Sequence, residues 1–233
     1  MVLSVMALLG GAATARRELI SPAPTPPTST STFTTAPPGG PAPGVALAVP
    51  AALTEADLNL RDVPLAVPLE LLLPTLGVRA PVAGVGITAT NVMDAPTGPV
   101  GDPVWQQAFW YRGSAVPGDL STALIAGHVN GPRGSGGVFA HLSDLERGDP
   151  IVVHDTRSGL DVTFSVTGSD TYSLDEATDP AVLARIYGSG PVAGTGPQPS
   201  ADGLSHLTLI TCAGTFRDGT HDHRLVVYAT RSA

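Results

Sequence analysis

The chain has 233 residues, 42% of them hydrophobic, and a formal net charge of −8 at pH 7. This length predicts one folded domain with additional segments, and the acidic balance argues against nucleic acid as a partner. The single cysteine excludes an internal disulfide, and the twelve basic residues are all arginine.

Residues 1–20 open with the apolar run "MVLSVMALLGG" followed by "AATARR". The run is shorter than the ~20 residues that span a membrane, and Ala13–Ala15 resembles a signal-peptidase site. Arg16 and Arg17 follow the run instead of preceding it, contrary to the positive-inside tendency. We interpret residues 1–20 as a signal peptide or a signal-anchor, the alternative being an ordinary apolar N-terminus.

Residues 21–67 form the second predicted segment. Proline, threonine and serine dominate its first part, "SPAPTPPTSTSTFTTAPPGG", and a later stretch, "LTEADLNL", has the length of one or two helical turns. Such a composition buries too little apolar surface to offset the entropy of ordering. We therefore predict a disordered linker, which suits an extracytoplasmic protein held away from a membrane or wall.

From residue 68 to 233 the sequence predicts an all-β domain. Short apolar or alternating runs separated by glycine, proline and aspartate favour a closed or nearly closed eight-stranded barrel. The eight runs are "PLELLLP", "GVRAPVAGVGIT", "WQQAFWYRG", "TALIAGH", "DPIVVHD", "LDVTFSVTGSDTYS", "HLTLITC" and "HRLVVYAT". The run "LPTLG", Leu73–Gly77, is interpreted as part of a strand.

Two short helical pieces are expected between the strands. "GGVFAHLSDLERGD" has apolar residues at helical spacing, at Val138, Leu142 and Leu145. "DPAVLARIYG" begins with the cap signal Asp179-Pro180 and ends at a glycine.

The cysteine stands at the end of a predicted strand, "HLTLITC". Alternation places Leu207, Leu209 and Thr211 on one face and Thr208, Ile210 and Cys212 on the other, and the strand is expected to end at Cys212. If the next strand, starting near His223, forms a hairpin with it, Arg224 lies beside Cys212. A thiol beside a guanidinium is a candidate thiolate of lowered pKa.

A thiolate nucleophile needs a proton partner, and His128 is the candidate because it ends the apolar run "TALIAGH". In this hypothesis Cys212 attacks a carbonyl, His128 transfers the proton, and Arg224 stabilises the developing oxyanion. Other interpretations remain open. Cys212 would then be a small buried hydrophobe, Arg224 a surface arginine and His128 a satisfied strand-end histidine.

These motifs together resemble the sortase family. Thr208–Cys212 matches the TLxTC motif of that family, "IAGH" lies upstream of it, and an arginine starts the last strand. "LLLPTLGVRAPVAGVG", "GHVNGPRGSGGVFAHLSDLERGDPIVV" and "YSLDE" further resemble actinobacterial class F sortases, which are sometimes grouped with class E. The resemblance spans about residues 68–232.

The resemblance implies an eight-stranded sortase barrel and a cysteine transpeptidase, a thiol protease in the wider hydrolase sense. Such enzymes cut an LPxTG-like sorting signal between Thr and Gly, hold the protein as a thioester and pass it to an amine of a cell-wall precursor. The implied catalytic residues are His128, Cys212 and Arg224, with Thr211 lining the site beside the cysteine. The resemblance implies no cofactor, an extracytoplasmic location at the cell surface, and a monomer.

Some features depart from the family pattern or add weak signals. Asn130 stands where related sequences often have an acidic residue, so the group that orients the imidazole stays open. The acids Asp170, Asp175, Glu176 and Asp179 show no ligand spacing from which a calcium site follows. His221 and His223 share a strand face without a third ligand at a characteristic spacing, so we predict no metal site.

Two other functions are alternatives to this one. An L,D-transpeptidase also uses Cys and His on a β-rich fold, but its signature has glycine before the cysteine and arginine at or next to the following position. Here Thr211 precedes Cys212 and Ala213 follows it, which disfavours that class. The non-enzymatic alternative is an exported sortase-like barrel that binds its partner without turnover.

Overall fold

The protein is described by a computed structural model for residues 64–88, 93–188 and 196–232. Within these residues eight strands form a closed barrel. The strands are β1 (Leu65–Leu73), β2 (Val78–Val85), β3 (Ala108–Tyr111), β4 (Thr122–Gly127), β5 (Pro150–Asp155), β6 (Asp161–Ser173), β7 (His206–Arg217) and β8 (Thr220–Arg231). Their order around the barrel is β1-β2-β3-β4-β7-β8-β6-β5, and β5 pairs with β1. The predicted eight-stranded β fold is confirmed.

The N-terminal predictions fall mainly outside this region. The segment 1–20 and the linker 21–67, except for its last four residues, lie outside the described residues. β1 begins at Leu65, inside the stretch predicted as linker, and Val67 packs against the core. No helix among the described residues has the length and apolar character needed to cross a membrane.

Two parallel strand pairs interrupt an otherwise antiparallel barrel. β2 pairs with β3 and β4 pairs with β7 in parallel, and the last residue pair between β4 and β7 is Ala126 with Ile210. Parallel neighbours run in the same direction, so their register continues residue by residue. The end of β4 therefore lies level with Thr211 and Cys212, in the middle of β7.

The alternation of β7 separates two apolar clusters. Leu207 and Leu209 belong to a cluster with contributions from all eight strands, which fills the barrel. Ile210 and Cys212 belong to a second cluster on the outer face, together with Ile186 and other residues of the helix that precedes β7, Pro180–Tyr187. The predicted two faces of β7 are confirmed.

The helix predicted after Asp179 is present as α1, Pro180–Tyr187. The Asp179 carboxylate accepts hydrogen bonds from the amides of Ala181 and Val182, and proline occupies the first turn. This is the capping pattern on which the prediction depended. Gly188 follows in a positive-φ conformation (φ 72°).

The other helical prediction is wrong. Residues 138–145 hold only a 3-10 turn, Leu142–Asp144. The amide of Val138 donates to the Trp105 carbonyl and that of Phe139 to the His128 carbonyl, so these donors bond to other segments. The apolar residues at helical spacing are nevertheless buried, which shows that burial produced the pattern without a helix.

Two strand boundaries also differ from prediction. Leu73 is the last residue of β1, and Pro74–Leu76 forms a 3-10 turn that Gly77 ends with a left-handed φ of 64°, so "LPTLG" is largely a turn. β7 does not stop at Cys212 but continues to Arg217. Asp218 and Gly219 then turn the chain with φ values of 50° and 84°.

Candidate active site

Cys212 and Arg224 face each other directly across the β7–β8 hairpin. Opposite residues of an antiparallel pair have Cβ atoms about 4.5–5.5 Å apart. Cys212 lies on the outer face with Ile210, and Val226, two residues after Arg224, belongs to the same cluster. The structure thus brings together the two residues for which the sequence predicted proximity.

His128 follows the last residue of β4. Because Ala126 is level with Ile210 in the parallel pair, continuing the register by two residues places His128 level with Cys212. The Thr211 hydroxyl donates to the Gly127 carbonyl at 2.8 Å and so joins β7 to the end of β4. Thr211 is only 1% exposed, and its hydroxyl is engaged in this bond between strands.

The imidazole of His128 is enclosed by the connection between β2 and β3. Its Nε2 lies 2.8 Å from the Pro96 carbonyl, and its ring centroid is 4.7 Å from that of Trp105 and 5.4 Å from that of Phe109. His128 is 2% exposed. Burial lowers the pKa of His128 below its usual 6.5, and the bond to Pro96 opposes that shift in part.

Sequence reasoning missed these neighbours of His128. Trp105 and Phe109 both occur in the run "WQQAFWYRG", but the run was assigned only to a strand. Trp105 in fact lies in a 3-10 turn, Pro103–Gln106, that the Asp102 side chain caps. The Asp-Pro pair was the available signal for this turn, and it has the same form as the one used for α1.

Two glycines allow the chain to fold closely around His128. A Cβ at Gly127 would lie 2.5 Å from the Phe139 ring, and a Cβ at Gly137 would lie 2.2 Å from the His128 carbonyl oxygen. That carbonyl accepts a hydrogen bond of 2.9 Å from the Phe139 amide. Gly127 and Gly137 therefore allow the segment of Phe139 to approach the His128 backbone closely, and a side chain at either glycine would clash.

Arg224 is buried to 1% exposure, and backbone carbonyl groups hold its guanidinium. One terminal nitrogen, Nη1, donates to the carbonyls of His221 at 3.1 Å and His223 at 2.7 Å. The part of β8 that immediately precedes Arg224 thus orients the arginine. The hairpin pattern predicted that Arg224 lies close to Cys212, but it did not predict these backbone hydrogen bonds.

The Cys212 thiol does not have the lowered pKa that its arginine neighbour suggested. Burial raises the pKa of Cys212 above its usual 9.0, and the charge of Arg224 opposes this only in part. Desolvation of the charged form outweighs one nearby cation here. The resting site at neutral pH accordingly holds a thiol and an uncharged imidazole.

The other titratable candidates have partners of their own. His223 lies 2.7 Å from the Asp222 carboxylate, and Nδ1 of His221 lies 3.4 Å from the Gly214 carbonyl. Asp170 pairs with Arg185 at 2.7 Å. Across the described residues, no group of three or more His, Cys, Asp or Glu side chains is arranged to hold a metal ion. Asn130 forms an isolated β-bridge with Gly136 in the loop after His128.

Comparison with known proteins assigns this site to a family. Residues 71–232, well over half of the chain, match the sortase domain. The chain belongs to the sortase family. No curated protein sequence matches this sortase significantly.

Several solved sortases resemble this sortase at low sequence identity. A lid mutant of sortase A from Corynebacterium diphtheriae is 20% identical over 72% of this chain and 70% of its own, with a TM-score of 0.48. Sortase C-1 from Actinomyces oris is 18% identical over 78% and 80%, with a TM-score of 0.48. The pilus-related sortase C of Group B Streptococcus is 16% identical over 72% and 68%, with a TM-score of 0.47.

The outer face of the sortase barrel also carries a cavity of about 610 Å³. Thr122, Thr208, Tyr228 and Thr230 contribute to its lining, together with Arg185 of α1. Thr208 lies four residues before Cys212 on the same face of β7. The cavity therefore lies near the start of β7, four residues before the thiol on the same strand face.

Proposed function

We propose that the protein is a cysteine transpeptidase that cleaves an LPxTG-like sorting signal between Thr and Gly and transfers the protein to an amine of a cell-wall precursor. The observation that carries this proposal is the alignment of Cys212 with Arg224 across one hairpin and with His128 on the neighbouring parallel strand. Membership of the sortase family supports the reaction type.

In the first half-reaction the sulfur of Cys212 attacks the carbonyl carbon of the threonine. The thiol proton passes to His128, and Arg224 stabilises the oxyanion of the tetrahedral intermediate. Collapse of this intermediate breaks the bond between threonine and glycine. His128 gives its proton to the departing glycine nitrogen, and the threonine remains on Cys212 as a thioester.

In the second half-reaction an amine attacks the thioester carbonyl. His128 accepts a proton from the amine, an amide forms, and Cys212 leaves and regains its proton. Water in place of the amine gives hydrolysis, which is the basis for the protease and hydrolase description. Because the chain has no lysine, its side chains offer no ε-amine as a competing acceptor.

A sorting peptide bound at Cys212 has the cavity at Thr208 within its reach, although Ile210 between them is buried in the cluster that includes α1. Thr208 and Cys212 are about 13 Å apart along the strand, at ~3.3 Å per residue. An extended peptide covers this distance in about four residues. We place the residues that precede the scissile bond between Cys212 and the cavity at Thr208.

We propose a finer assignment on the basis of sequence patterns outside the site. The stretches "LLLPTLGVRAPVAGVG" and "YSLDE" favour class F, and the apolar start with its Pro/Thr-rich linker favours a membrane-anchored or secreted protein outside the cytoplasm. Sortases act at the cell surface, which agrees with this location. We propose residues 1–20 as the signal or anchor and the following stretch as the linker, which ends where β1 begins at Leu65 and not at residue 67 as the sequence predicted. The barrel from β1 onward is then the catalytic domain, working as a monomer.

Mass spectrometry of the full chain tests the proposed function. The protein is incubated with peptides that vary LPxTG one position at a time, with Cys212→Ala as the control. We expect an acyl adduct on Cys212 that ends at threonine, is released by hydroxylamine, and is absent from the control. Peptide binding with neither adduct nor cleavage would instead establish the non-catalytic binding barrel.

A further inference from the structure

The β2–β3 connection supplies the described hydrogen-bond partner of the His128 ring. Its Pro96 carbonyl oxygen lies 2.8 Å from Nε2, and its Trp105 packs on the ring at 4.7 Å between centroids. The sequence left open what orients this imidazole, because Asn130 replaces the acidic residue frequent in related sequences. In the structure the group that bonds to the ring is a backbone carbonyl and not an acidic side chain.

The identity of this partner determines which ring nitrogen carries hydrogen. A carbonyl oxygen only accepts hydrogen bonds, so Nε2 must be the donor. A neutral imidazole has one N–H, and its other nitrogen is then the base. In His128 the nitrogen free to accept a proton is then Nδ1.

Trp105 links the segments that hold this arrangement. Its indole N–H donates to the Pro99 carbonyl at 2.9 Å, three residues after Pro96, and its own carbonyl accepts from Val138 at 2.8 Å. The side chain is buried, at 4% exposure. One residue therefore contacts the loop that bears the acceptor, the imidazole itself and the segment that folds back over His128.

We propose that Trp105 is a positioning residue that, with the Pro96 carbonyl, keeps His128 in the tautomer with hydrogen on Nε2 and leaves Nδ1 as the catalytic base. This role for Nδ1 rests on the proposed function, whereas the tautomer does not. The Nε2–H bond persists through both half-reactions. It strengthens when Nδ1 gains the thiol proton, because charged donors make stronger hydrogen bonds. A neutral carbonyl thus fixes the tautomer of the imidazole, a role that a carboxylate has beside many catalytic histidines.

The chain offers a matched control for Trp105. Trp110, the other tryptophan, is also buried, and its indole N–H donates to the Ala115 carbonyl at 2.9 Å. It belongs to the cluster that fills the barrel, whereas Phe109, which contacts His128, lies on the outer face. Trp105→Leu and Trp110→Leu therefore both remove a buried indole and its bond to a carbonyl, but only the first touches the imidazole.

The experiment combines nitrogen NMR of the histidine rings with turnover of a sorting peptide, using the full chain labelled with ¹⁵N-histidine. His128→Gln assigns the His128 signals among the six histidines. At a pH above ~6.5, where imidazole is neutral, we expect wild-type His128 to carry hydrogen on Nε2. Trp105→Leu should mix the two tautomers and lower kcat about 10²-fold, the scale for a misplaced catalytic group, with a smaller change in KM. Trp110→Leu should keep the wild-type tautomer.

Hydrogen on Nδ1 in the wild-type protein would overturn the proposal, and this measurement needs no variant. An unchanged tautomer and kcat in a folded Trp105→Leu would also overturn the role of Trp105. If no peptide is turned over, the proposed function fails, and the wild-type spectrum still decides whether the Pro96 carbonyl sets the tautomer.

Discussion

At the residue scale, burial acts on the two members of the proposed proton-transfer pair in opposite directions. It lowers the pKa of His128 from 6.5 and raises the pKa of Cys212 from 9.0, because the charged form of each is desolvated. The Pro96 carbonyl and Arg224 favour the charged forms, each opposing burial only in part. The aromatic rings of Trp105 and Phe109 complete the surroundings of His128. The neutral pair is therefore the resting state, and the thiolate–imidazolium pair is a minority form.

The first prediction is a broad, bell-shaped pH dependence of kcat/KM. Activity falls in acid when both groups are protonated and in alkali when both have lost their protons. A lowered histidine pKa moves the acidic limb below pH 6.5, and a raised thiol pKa moves the alkaline limb above pH 9.0. The two limbs belong to the coupled pair. A narrow pH optimum, with its acidic limb above pH 6.5 and its alkaline limb below pH 9.0, would contradict the directions of both pKa shifts.

The second prediction concerns Arg224, which two backbone carbonyls hold in place. Arg224→Lys keeps a positive charge but loses the planar group with several donors. We expect kcat to fall about 10²–10³-fold, the cost of losing one oxyanion donor, with a modest change in peptide affinity. Single-turnover kinetics measure both quantities. Turnover near that of the wild type would restrict Arg224 to a general electrostatic or structural role.

The third prediction concerns Thr211, whose hydroxyl joins β7 to the strand that precedes His128. Thr211→Val removes the buried bond to the Gly127 carbonyl at nearly constant volume. We expect a loss of about 1–3 kcal/mol in unfolding free energy, because the carbonyl is left unsatisfied. Urea unfolding measures this loss. Thr171→Val, at an exposed residue of β6, is the control. Equal stability of both variants would show that the Thr211 hydroxyl does not stabilise the junction of β4 and β7.

At the scale of elements, local patterns predicted whatever depends on neighbours in sequence. The alternation of residues predicted the two faces of β7, and the capping signal at Asp179 predicted α1. The hairpin prediction placed Arg224 beside Cys212 although its strand ends were wrong, since the pairing extends past both residues to the turn at Asp218 and Gly219. An Asp-Gly pair between two strands is itself a hairpin signal, and it was overlooked.

What the sequence did not predict depends on contacts between distant segments. Pro96 and His128 are 32 positions apart, and no periodicity relates them. The segment 138–145 carried a helical pattern, but its amides bond to other loops. The sequence also did not predict that the pKa of the Cys212 thiol is raised, because this shift depends on how completely the barrel and α1 exclude water around Cys212.

The fourth prediction concerns how α1 is held to the barrel. Arg185 pairs with Asp170 at 2.7 Å, donates to the Tyr172 hydroxyl at 3.2 Å and lies 4.4 Å over the Tyr228 ring. Because Arg185 and Asp170 are partly exposed, the ion pair is worth less than about 1 kcal/mol, and the ring contact adds ~0.5–1 kcal/mol. We expect Arg185→Ala to cost about 1 kcal/mol and to raise KM for the sorting peptide, since Arg185 lines the cavity.

The control for Arg185 is Arg79, which pairs with Glu70 at the surface of β1 and β2. Arg79→Ala should change the unfolding free energy by no more than about 0.5 kcal/mol, as for most surface substitutions, and should leave KM unchanged. Equal effects of the two variants would show that α1 does not depend on Arg185.

At the scale of the whole molecule, closure of the barrel depends on β1. This strand pairs with β2 on one side and with β5 on the other. Leu69, Leu71 and Leu73 each contribute a fully buried side chain to the core of the barrel. Loss of β1 would therefore expose two sheet edges and remove three leucines from the core.

The last prediction compares two truncations that differ only in β1. Deletion of residues 1–63 retains the whole strand, and we expect a soluble domain that unfolds cooperatively and keeps peptide turnover, because no described barrel residue is removed. Deletion of residues 1–73 removes β1, and we expect aggregation or loss of cooperative unfolding, because replacing even one buried leucine by alanine costs about 2–5 kcal/mol. Thermal unfolding followed by circular dichroism measures both. A cooperative transition after the longer deletion would show that the barrel does not need β1 for closure. Loss of the transition after the shorter deletion would show that residues before 64 belong to the folded domain.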